Sequence, residues 1–439
     1  MAAAVVCAMA LLVCGRADAR IARPFVIKVV DADTGRGVPL VELRTVGQVR
    51  FFTDSAGVIA FDEPGLMGEE VFFSMKSHGY EEPKKDGFGI RGVRLKAEPG
   101  RTATVKIKRV NIAERMYRIT GEGIYHHSAL AGLPVPLENG VLNGKVVGQD
   151  TVAMAPYKGK LFWLWGDTNR PSYPLGNFKT SSATSLMPGR GGLDPSVGVD
   201  LTYYVDTSGF SKQMMPLREP GVVWMNGLVA VRDERGRERL MARWARLTGL
   251  SDLKERGFAV FNDKEEIFEK ANTFDKDQHV VPDSQAYRDG RRGGDRSHVY
   301  FVAPYPTARI AANVEAFLRP EAYEGFSCLT PGTRFRGRSS SVERDAAGRL
   351  VWAWKRDTSP LRDKQWEELV KAKIVTHKKY TFYNVMHHPV FNQERGRYVY
   401  FEGTYCSTFS GNDDKTPRYD YNQMMYRLDL ADERLRVVE

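Results

Sequence analysis

Hairpin-like units with a polar turn and an aromatic return strand recur from about residue 111 onward in this 439-residue chain. One unit spans 227–244 around a turn at 233–236, a second spans 341–354, and a third spans 388–401 around 392–397. Short apolar runs bounded by turn residues are typical of strands, and helical periodicity is weak. Only 363–371 and, less clearly, 309–318 suggest helices. Units every 50 to 70 residues, roughly, predict an all-β domain at 111–439 that forms a five-bladed β-propeller.

The segment ahead of this domain has a different pattern. Between about 24 and 110, short alternating runs such as 25–30 and 102–108 are separated by tight turns, which predicts a β-sandwich. The stretches 30–39 (VDADTGRGVP) and 53–57 (TDSAG) resemble the carboxypeptidase-regulatory-like, transthyretin-type sandwich. The resemblance implies an accessory module at 20–110 without catalysis.

Two aspartates occupy opposed positions in one of the hairpins. If the chain folds back at Lys158-Gly159, then Asp150 lies directly opposite Asp167. Opposed side chains have Cβ atoms roughly 4.5–5.5 Å apart, and like charges there destabilise the sheet. One carboxyl is then expected to have a raised pKa, as acid/base chemistry on a sugar bond requires. The alternative is that both aspartates cap turns and face water.

The residues around these aspartates also resemble a known family. Gln149-Asp150-Thr151 and Trp165-Gly166-Asp167-Thr168 look like the paired "x-D-x" and "F-G-D-T" signatures of five-bladed, glycosidase-type propellers, a bacterial family that includes endo-arabinanases. The resemblance covers the first blade. It implies a retaining or inverting glycosidase with its active site at the central channel.

Glu402 is a third candidate catalytic carboxylate. Folding the last hairpin at 394–395 would place it opposite His387, and a Glu–His pair could hold a proton near neutral pH. An ordinary cross-strand ion pair is the alternative. His127 and His387 would instead suit a polysaccharide lyase, which needs a base to remove the proton next to the uronate carboxylate and cations to neutralise that carboxylate. The alternative for each of these histidines is a purely structural role.

A polar and aromatic run near the C-terminus is predicted to face the substrate. Arg418, Tyr419, Asp420 and Asn422 precede a strand-like segment at 424–430 that is expected to pair with the start of this domain and close the ring. Aromatic rings stack on sugars, and the polar groups bind hydroxyls or acids. Packing between blades is the alternative role.

The first residues indicate export. Residues 1–19 look like a signal peptide, with an apolar stretch too short to span a bilayer and small residues at 17–19. We expect a secreted or periplasmic monomer without a transmembrane segment. The net charge of +10 then favours an acidic polysaccharide or the cell envelope over nucleic acid as partner. Cys328 and Cys406 are predicted either to form one disulfide or to remain as two buried, unpaired thiols.

These features predict a carbohydrate-active protein, foremost a glycoside hydrolase that uses the paired carboxylates Asp150 and Asp167. A polysaccharide lyase and a non-catalytic glycan- or envelope-binding protein are the alternatives. We expect no cofactor and see no Cys/His spacing typical of a metal site, although a calcium ion in the channel is left open.

Overall fold

The protein is described by a computed structural model that covers residues 23–81, 83, 89–177, 180–289, 297–302, 306–336, 339–361, 374–375, 380–407, 410–411 and 421–435. The described part is all-β, as predicted, with two short α-helices, α1 (His126–Leu130) and α2 (Val314–Phe317). The segment 309–318 is a strand followed by α2 rather than one helix, because Asn313 caps a new helix by accepting a bond from Ala316 N. The candidate helix at 363–371 and the predicted signal peptide lie outside the described residues.

Seven strands form two N-terminal sheets. These strands are β1 (Phe25–Asp31), β2 (Glu42–Thr45), β3 (Arg50–Phe52), β4 (Val58–Phe61), β5 (Glu70–Lys76), β6 (Val93–Lys96) and β7 (Thr102–Ile107). One sheet has the order β4-β1-β7, and the other has the order β3-β2-β5-β6. Alternate residues of both sheets, including Ile27, Leu43 and Phe73, share one hydrophobic core.

The rest of the chain forms antiparallel sheets. Its strands are β8 (Glu114–Arg118), β9 (Gly148–Gln149), β10 (Val152–Tyr157), β11 (Lys160–Trp165), β12 (Thr168–Arg170), β13 (Tyr173–Asn177), β14 (Ser181–Leu186), β15 (Thr202–Tyr203), β16 (Val222–Arg232), β17 (Glu238–Thr248), β18 (Asp252–Asn262), β19 (Ile267–Lys270), β20 (Gln285–Arg288), β21 (His298–Val302), β22 (Pro306–Ala311), β23 (Glu324–Ser327), β24 (Ala353–Arg356), β25 (Thr381–His387), β26 (Tyr398–Cys406) and β27 (Asn422–Asp429). Among the described residues after β7, four sheets have four or five strands: β10-β11-β14-β15, β16-β17-β18-β19, β20-β21-β22-β23-β24 and β25-β26-β27-β8. A small sheet, β13-β12-β9, extends the first of them.

Consecutive large sheets pack face to face. One core cluster joins the β25-β26-β27-β8 sheet to the β10–β15 sheet, a second joins that sheet to β16–β19, and a third joins β16–β19 to β20–β24. The first strands of the sheets also meet, since β10 contacts both β16 and β25, and β16 contacts β20. Side chains near the ends of these first strands are therefore brought together.

The last strand pairs with the first strand of this region, as the sequence predicted. In the closing sheet, defined as β25-β26-β27-β8, Met425 of β27 lies opposite Tyr117 of β8, and Arg427 lies opposite Glu114. The two ends of the region are thereby joined through backbone hydrogen bonds, although more than 300 residues separate them in sequence.

The predicted hairpin at 341–354 is not formed as two paired strands. Only isolated bridges, Leu329 to Val342 and Arg344 to Leu350, are present there, and β24 pairs with β23 instead. The aromatic residues explain the difference, because Trp352 and Trp354 pack on Phe326 of β23, with ring centroids 5.7 and 5.2 Å away.

The N-terminal sheets contact the closing sheet and α1. Asp54 Oδ2 accepts a hydrogen bond of 2.7 Å from Ser128 N in α1. Ser55 N donates to Ile124 O at 2.7 Å, and Ser55 Oγ accepts from Arg118 N at 3.2 Å. The turn after β3 thus joins the two parts of the chain through buried polar contacts.

Candidate active site

The hairpin of β10 and β11 places Asp150 and Asp167 opposite each other. Val152 pairs with Trp165, and the same register resumes beyond the aspartates, where Gln149 pairs with Thr168. Between these pairs, Asp150 N donates to Asp167 O at 3.0 Å, and Asp167 N donates to Asp150 Oδ1 at 2.8 Å. The predicted opposition of the two aspartates is confirmed.

The ladder is irregular beside the two aspartates. Thr151 has a φ of 47°, which is uncommon for a non-glycine residue, and Gly166 N donates to both Asp150 O and Thr151 O. A Cβ atom on Gly166 would lie 2.4 Å from Asp150 Oδ1. Only glycine therefore leaves room for the Asp150 carboxylate to fold over the opposite strand.

Each carboxylate also accepts a hydrogen bond from an aromatic side chain of another sheet. The Tyr383 hydroxyl of β25 donates to Asp150 Oδ2 at 3.1 Å, and Trp224 Nε1 of β16 donates to Asp167 Oδ1 at 3.0 Å. Asp167 is only 9% exposed. The two carboxylates are thus held from both sides by strands far away in sequence.

Burial, together with the negative charge of Asp167, raises the pKa of Asp150 to about 7, while the bonds from Tyr383 and the Asp167 backbone oppose the change. Burial also raises the pKa of Asp167, against the bond from Trp224. The pair therefore retains a proton more readily than ordinary aspartates do.

A second polar group continues the site along β16. Asn226 lies two residues after Trp224, so both side chains point to the same side of the strand. Asn226 Nδ2 donates to Asp283 Oδ1 at 3.2 Å, and Arg243 Nη1 lies 3.2 Å from the same oxygen. Burial lowers the pKa of Arg243, and Asp283 opposes that change. Hydrogen-bonding groups therefore extend from the aspartates toward β20.

The closing sheet supports the irregular turn at Thr151. Asn384 Nδ2 donates to Thr151 Oγ1 at 2.6 Å, and Thr151 N donates to Thr404 Oγ1 at 3.2 Å. Thr404 Oγ1 in turn accepts from Gln423 Nε2 at 2.9 Å. These contacts hold Asp150 in place through its neighbour, and the bond between Gln423 and Thr404 is buried.

Glu402 lies in the core rather than beside the aspartates. The expectation that it faces His387 is wrong by one residue, because Glu402 lies opposite Met386 and His387 lies opposite Phe401. The connection contains two short 3-10 turns, 389–391 and 394–396, instead of the tight turn assumed from the sequence. As a result, His388 Nε2 contacts Glu402 Oε2 at 3.0 Å, and both side chains are fully buried.

The predicted substrate-binding residues are dispersed. His127 Nδ1 lies 3.1 Å from Ala60 O, at the contact of α1 with β4. The exposed His387 contacts Asn392 Oδ1 at 2.9 Å. The buried Asn422 accepts a 2.9 Å bond from Arg118 Nε in the closing sheet. None of these contacts reaches Asp150 or Asp167. The remaining predicted residues, Arg418, Tyr419 and Asp420, lie outside the described residues.

Sequence reasoning missed the partners of the aspartates. Tyr383 lies on another sheet, 233 residues from Asp150, and Trp224 lies on another sheet, 57 residues from Asp167. Asp283, which continues the site, lies 57 residues from Asn226. The apolar run at 222–225 is typical of a strand, and this pattern could have predicted that Trp224 lies on the first strand of its sheet. Nothing local indicates the contacts themselves.

The sequence analysis left open a calcium ion in the channel and the pairing of the two cysteines. The part of the chain that the structure describes contains no group of three or more His, Cys, Asp or Glu side chains that could hold a metal ion, so the calcium hypothesis has no ligand set there. Cys328 and Cys406 are both buried and are not bonded to each other. No helix among the described residues is long and apolar enough to cross a membrane.

Comparison with protein-family models finds no matching family, and comparison with curated proteins finds no significant match. The two family resemblances therefore rest on the sequence motifs alone.

Proposed function

We propose that this protein is a carbohydrate-active enzyme that hydrolyses a glycosidic bond of a polysaccharide with Asp150 and Asp167. The observation that carries the proposal is the opposed carboxylate pair, which is largely buried and in which burial raises the pKa of Asp150 to about 7. A proton donor near neutral pH beside a second carboxylate is what glycoside hydrolysis requires.

The proposed architecture is an N-terminal transthyretin-type sandwich followed by a five-bladed propeller. Support for the sandwich comes from two sheets around one core, in strands β1–β7. Support for the propeller comes from four large sheets packed in chain order, first strands that meet, and the pairing of β27 with β8. The four large sheets would be four of the five blades. The aspartates would then lie at the central channel, beside the start of the innermost strand β10.

In the proposed reaction, Asp150 is the acid and Asp167 is the carboxylate that faces the anomeric carbon. Asp150 donates its proton to the glycosidic oxygen as the bond to the anomeric carbon breaks. Because the two aspartates lie opposite each other on paired backbone, we favour a short separation of their carboxyl groups, roughly 5 Å. At that separation the second carboxylate attacks the anomeric carbon directly, and water later releases the sugar. Asp150 then accepts a proton from that water.

Neighbouring side chains would bind and orient the substrate. The half-buried Trp224 holds Asp167 and offers its ring to a sugar. Asn226 and Arg243 supply hydrogen-bond donors farther along the same side of the sheet. The lyase alternative has less support, because His127 and His387 contact other parts of the fold, and burial beside Asp150 raises the pKa of Tyr383, which makes it a poor base at neutral pH.

The proposal is tested by measuring reducing ends released from a panel of polysaccharides. We expect Asp150→Asn and Asp167→Asn to lower the rate by orders of magnitude, while Asp263→Asn leaves it unchanged. Asp263 is a suitable control because it contacts Tyr157 and Lys158 at the far end of the same hairpin.

Three results would refute hydrolysis by this pair. Full activity of both aspartate variants would make the carboxylates structural. Products that absorb in the ultraviolet through a new C=C bond would establish a lyase. Binding of glycans without release of any product would support the non-catalytic alternative, a glycan- or envelope-binding protein. Export to a secreted or periplasmic location as a monomer remains part of the proposal.

A further inference from the structure

A cavity that contains neither Asp150 nor Asp167 lies where the N-terminal sheets meet the closing sheet. Its volume is about 560 Å³. Residues 34–37 and 55–56 form one wall, and Glu114 and Arg427 belong to the other. Ligand sites of roughly 300–1,000 Å³ are common where two parts of a fold meet. The proposed hydrolysis assigns no role to this space.

The cavity carries a net positive charge. Glu114 is buried, and both of its carboxylate oxygens are engaged: Oε1 accepts a 2.9 Å bond from the Thr34 hydroxyl, and Oε2 accepts from Arg427 Nη2. Arg36 Nε lies 3.8 Å from Oε1. One carboxylate therefore faces two guanidinium groups, and one positive charge of this cluster is not balanced within it.

Arg36 has donors left for a ligand. Among the described residues, the 3.8 Å approach to Glu114 is the one ion pair of its guanidinium, and that distance exceeds a hydrogen bond. The more distant carboxylate of Asp194 also attracts the charge of Arg36 without occupying its donors. Its side chain is 30% exposed. A guanidinium has five N–H donors in a planar fork that matches a carboxylate. Arg427, by contrast, is held by Glu114 and packs on Tyr398.

The remaining lining suits a sugar ring. Tyr117, Tyr125, Pro134 and Pro136 line the cavity. The Tyr117 hydroxyl donates to Pro195 O at 2.7 Å, and Tyr117 and Tyr125 are only 2% and 4% exposed, so the two tyrosines form the floor of the cavity. The exposed Pro134 and the half-buried Pro136 offer an apolar surface beside the guanidinium of Arg36.

We propose that this cavity is an accessory binding site for an acidic saccharide, whose carboxylate is bound by Arg36 and whose ring packs on the proline faces of Pro134 and Pro136. The inference does not depend on the proposed hydrolysis. It also agrees with the positive charge of the whole chain, which would attract an acidic polymer.

The test is calorimetric titration of the full chain with a trimer of galacturonic acid, with maltotriose as the uncharged counterpart. We expect the acidic trimer to bind the wild-type protein and maltotriose to bind at least tenfold more weakly. Arg36→Gln should weaken binding of the acidic trimer roughly tenfold or more, because a charge-assisted, two-pronged contact is lost. Arg36→Lys should keep only part of the affinity, since lysine has the positive charge but not the planar, two-pronged guanidinium.

The matched control is Arg101→Gln, which removes the same charge from an arginine that is 76% exposed and paired with Glu98. It should change the affinity less than twofold. Asp150→Asn should likewise bind as the wild type does, which separates this site from the proposed active site. Mass spectrometry after each titration verifies that the trimer is intact, and thermal unfolding verifies that each variant is folded.

Several results would overturn the proposal. They are absence of binding to the wild-type protein, equal binding of maltotriose, and wild-type affinity in Arg36→Gln. Loss of binding in Asp150→Asn would assign the ligand to the aspartate site. Inorganic sulfate that binds as tightly as the trimer would reduce the cavity to a simple anion site without saccharide recognition.

Discussion

Replacing Asp150 with asparagine should stabilise the protein, and more so as the pH rises. The folded state raises the pKa of Asp150 from 3.8 to about 7. Between these values the folded protein holds a proton that the unfolded chain has lost, so the stability contributed by the protonated group decreases as the pH rises from about 4 to 7. The asparagine side chain does not ionise, so the variant should not lose this stability as the pH rises.

The size of the effect follows from the two pKa values. A difference between 3.8 and about 7 corresponds to roughly 4 kcal/mol once the group is fully ionised in both states. Asparagine can keep both contacts, since its Oδ1 accepts from Asp167 N and its Nδ2 can donate to the Tyr383 oxygen after the hydroxyl rotates. Little of the gain should therefore be offset by lost hydrogen bonds.

The assay is thermal unfolding of wild-type, Asp150→Asn and Asp263→Asn proteins at pH 4.5, 6 and 8. We expect the midpoints of the wild type and Asp150→Asn to be similar at pH 4.5 and to separate by on the order of 5 °C at pH 8. Asp263→Asn should follow the wild type. A difference between wild type and Asp150→Asn that does not change with pH, or a lower midpoint for Asp150→Asn at pH 8, would refute the reasoning.

Three further predictions concern the surroundings of the pair and the core. The hydrolytic rate should fall as the pH rises above about 7, because Asp150 then loses the proton it donates; a rate that keeps rising to pH 9 would contradict this role. Tyr383→Phe should move that fall to higher pH, since the lost hydrogen bond favours the ionised form, and an unchanged pH profile would argue against it. His388→Ala should lower the free energy of unfolding, measured with urea, by roughly 3–5 kcal/mol, because it leaves the buried Glu402 carboxyl without its imidazole partner. A decrease below about 1 kcal/mol would mean that the two side chains do not stabilise each other.

The local sequence was sufficient to predict the aspartate hairpin. Lys158 and Gly159 both have positive φ, 46° and 80°, as the two-residue turn of a tight hairpin requires, and such a turn sets the register of its strands. Apolar and aromatic runs bounded by the turn then identified the strands on either side. Because the turn is short and self-contained, no distant contact was needed to place Asp150 opposite Asp167.

The last hairpin was not predictable in the same way. Its connection bends through two 3-10 turns, and both Glu394 and Arg395 have positive φ. A one-residue change in register moves every side chain to the opposite face. For this reason His388 rather than His387 meets Glu402, and a candidate site became part of the core.

What the sequence determined by itself was the all-β class, the turns and the pairing of neighbouring strands, because these depend on residues a few positions apart. Only the tertiary structure decided what surrounds the pair: Trp224 beside Asp167, Tyr383 beside Asp150, and the cavity beside Arg36. Burial is the main cause of the raised pKa of Asp150, and burial depends on how distant strands pack, which no local pattern encodes.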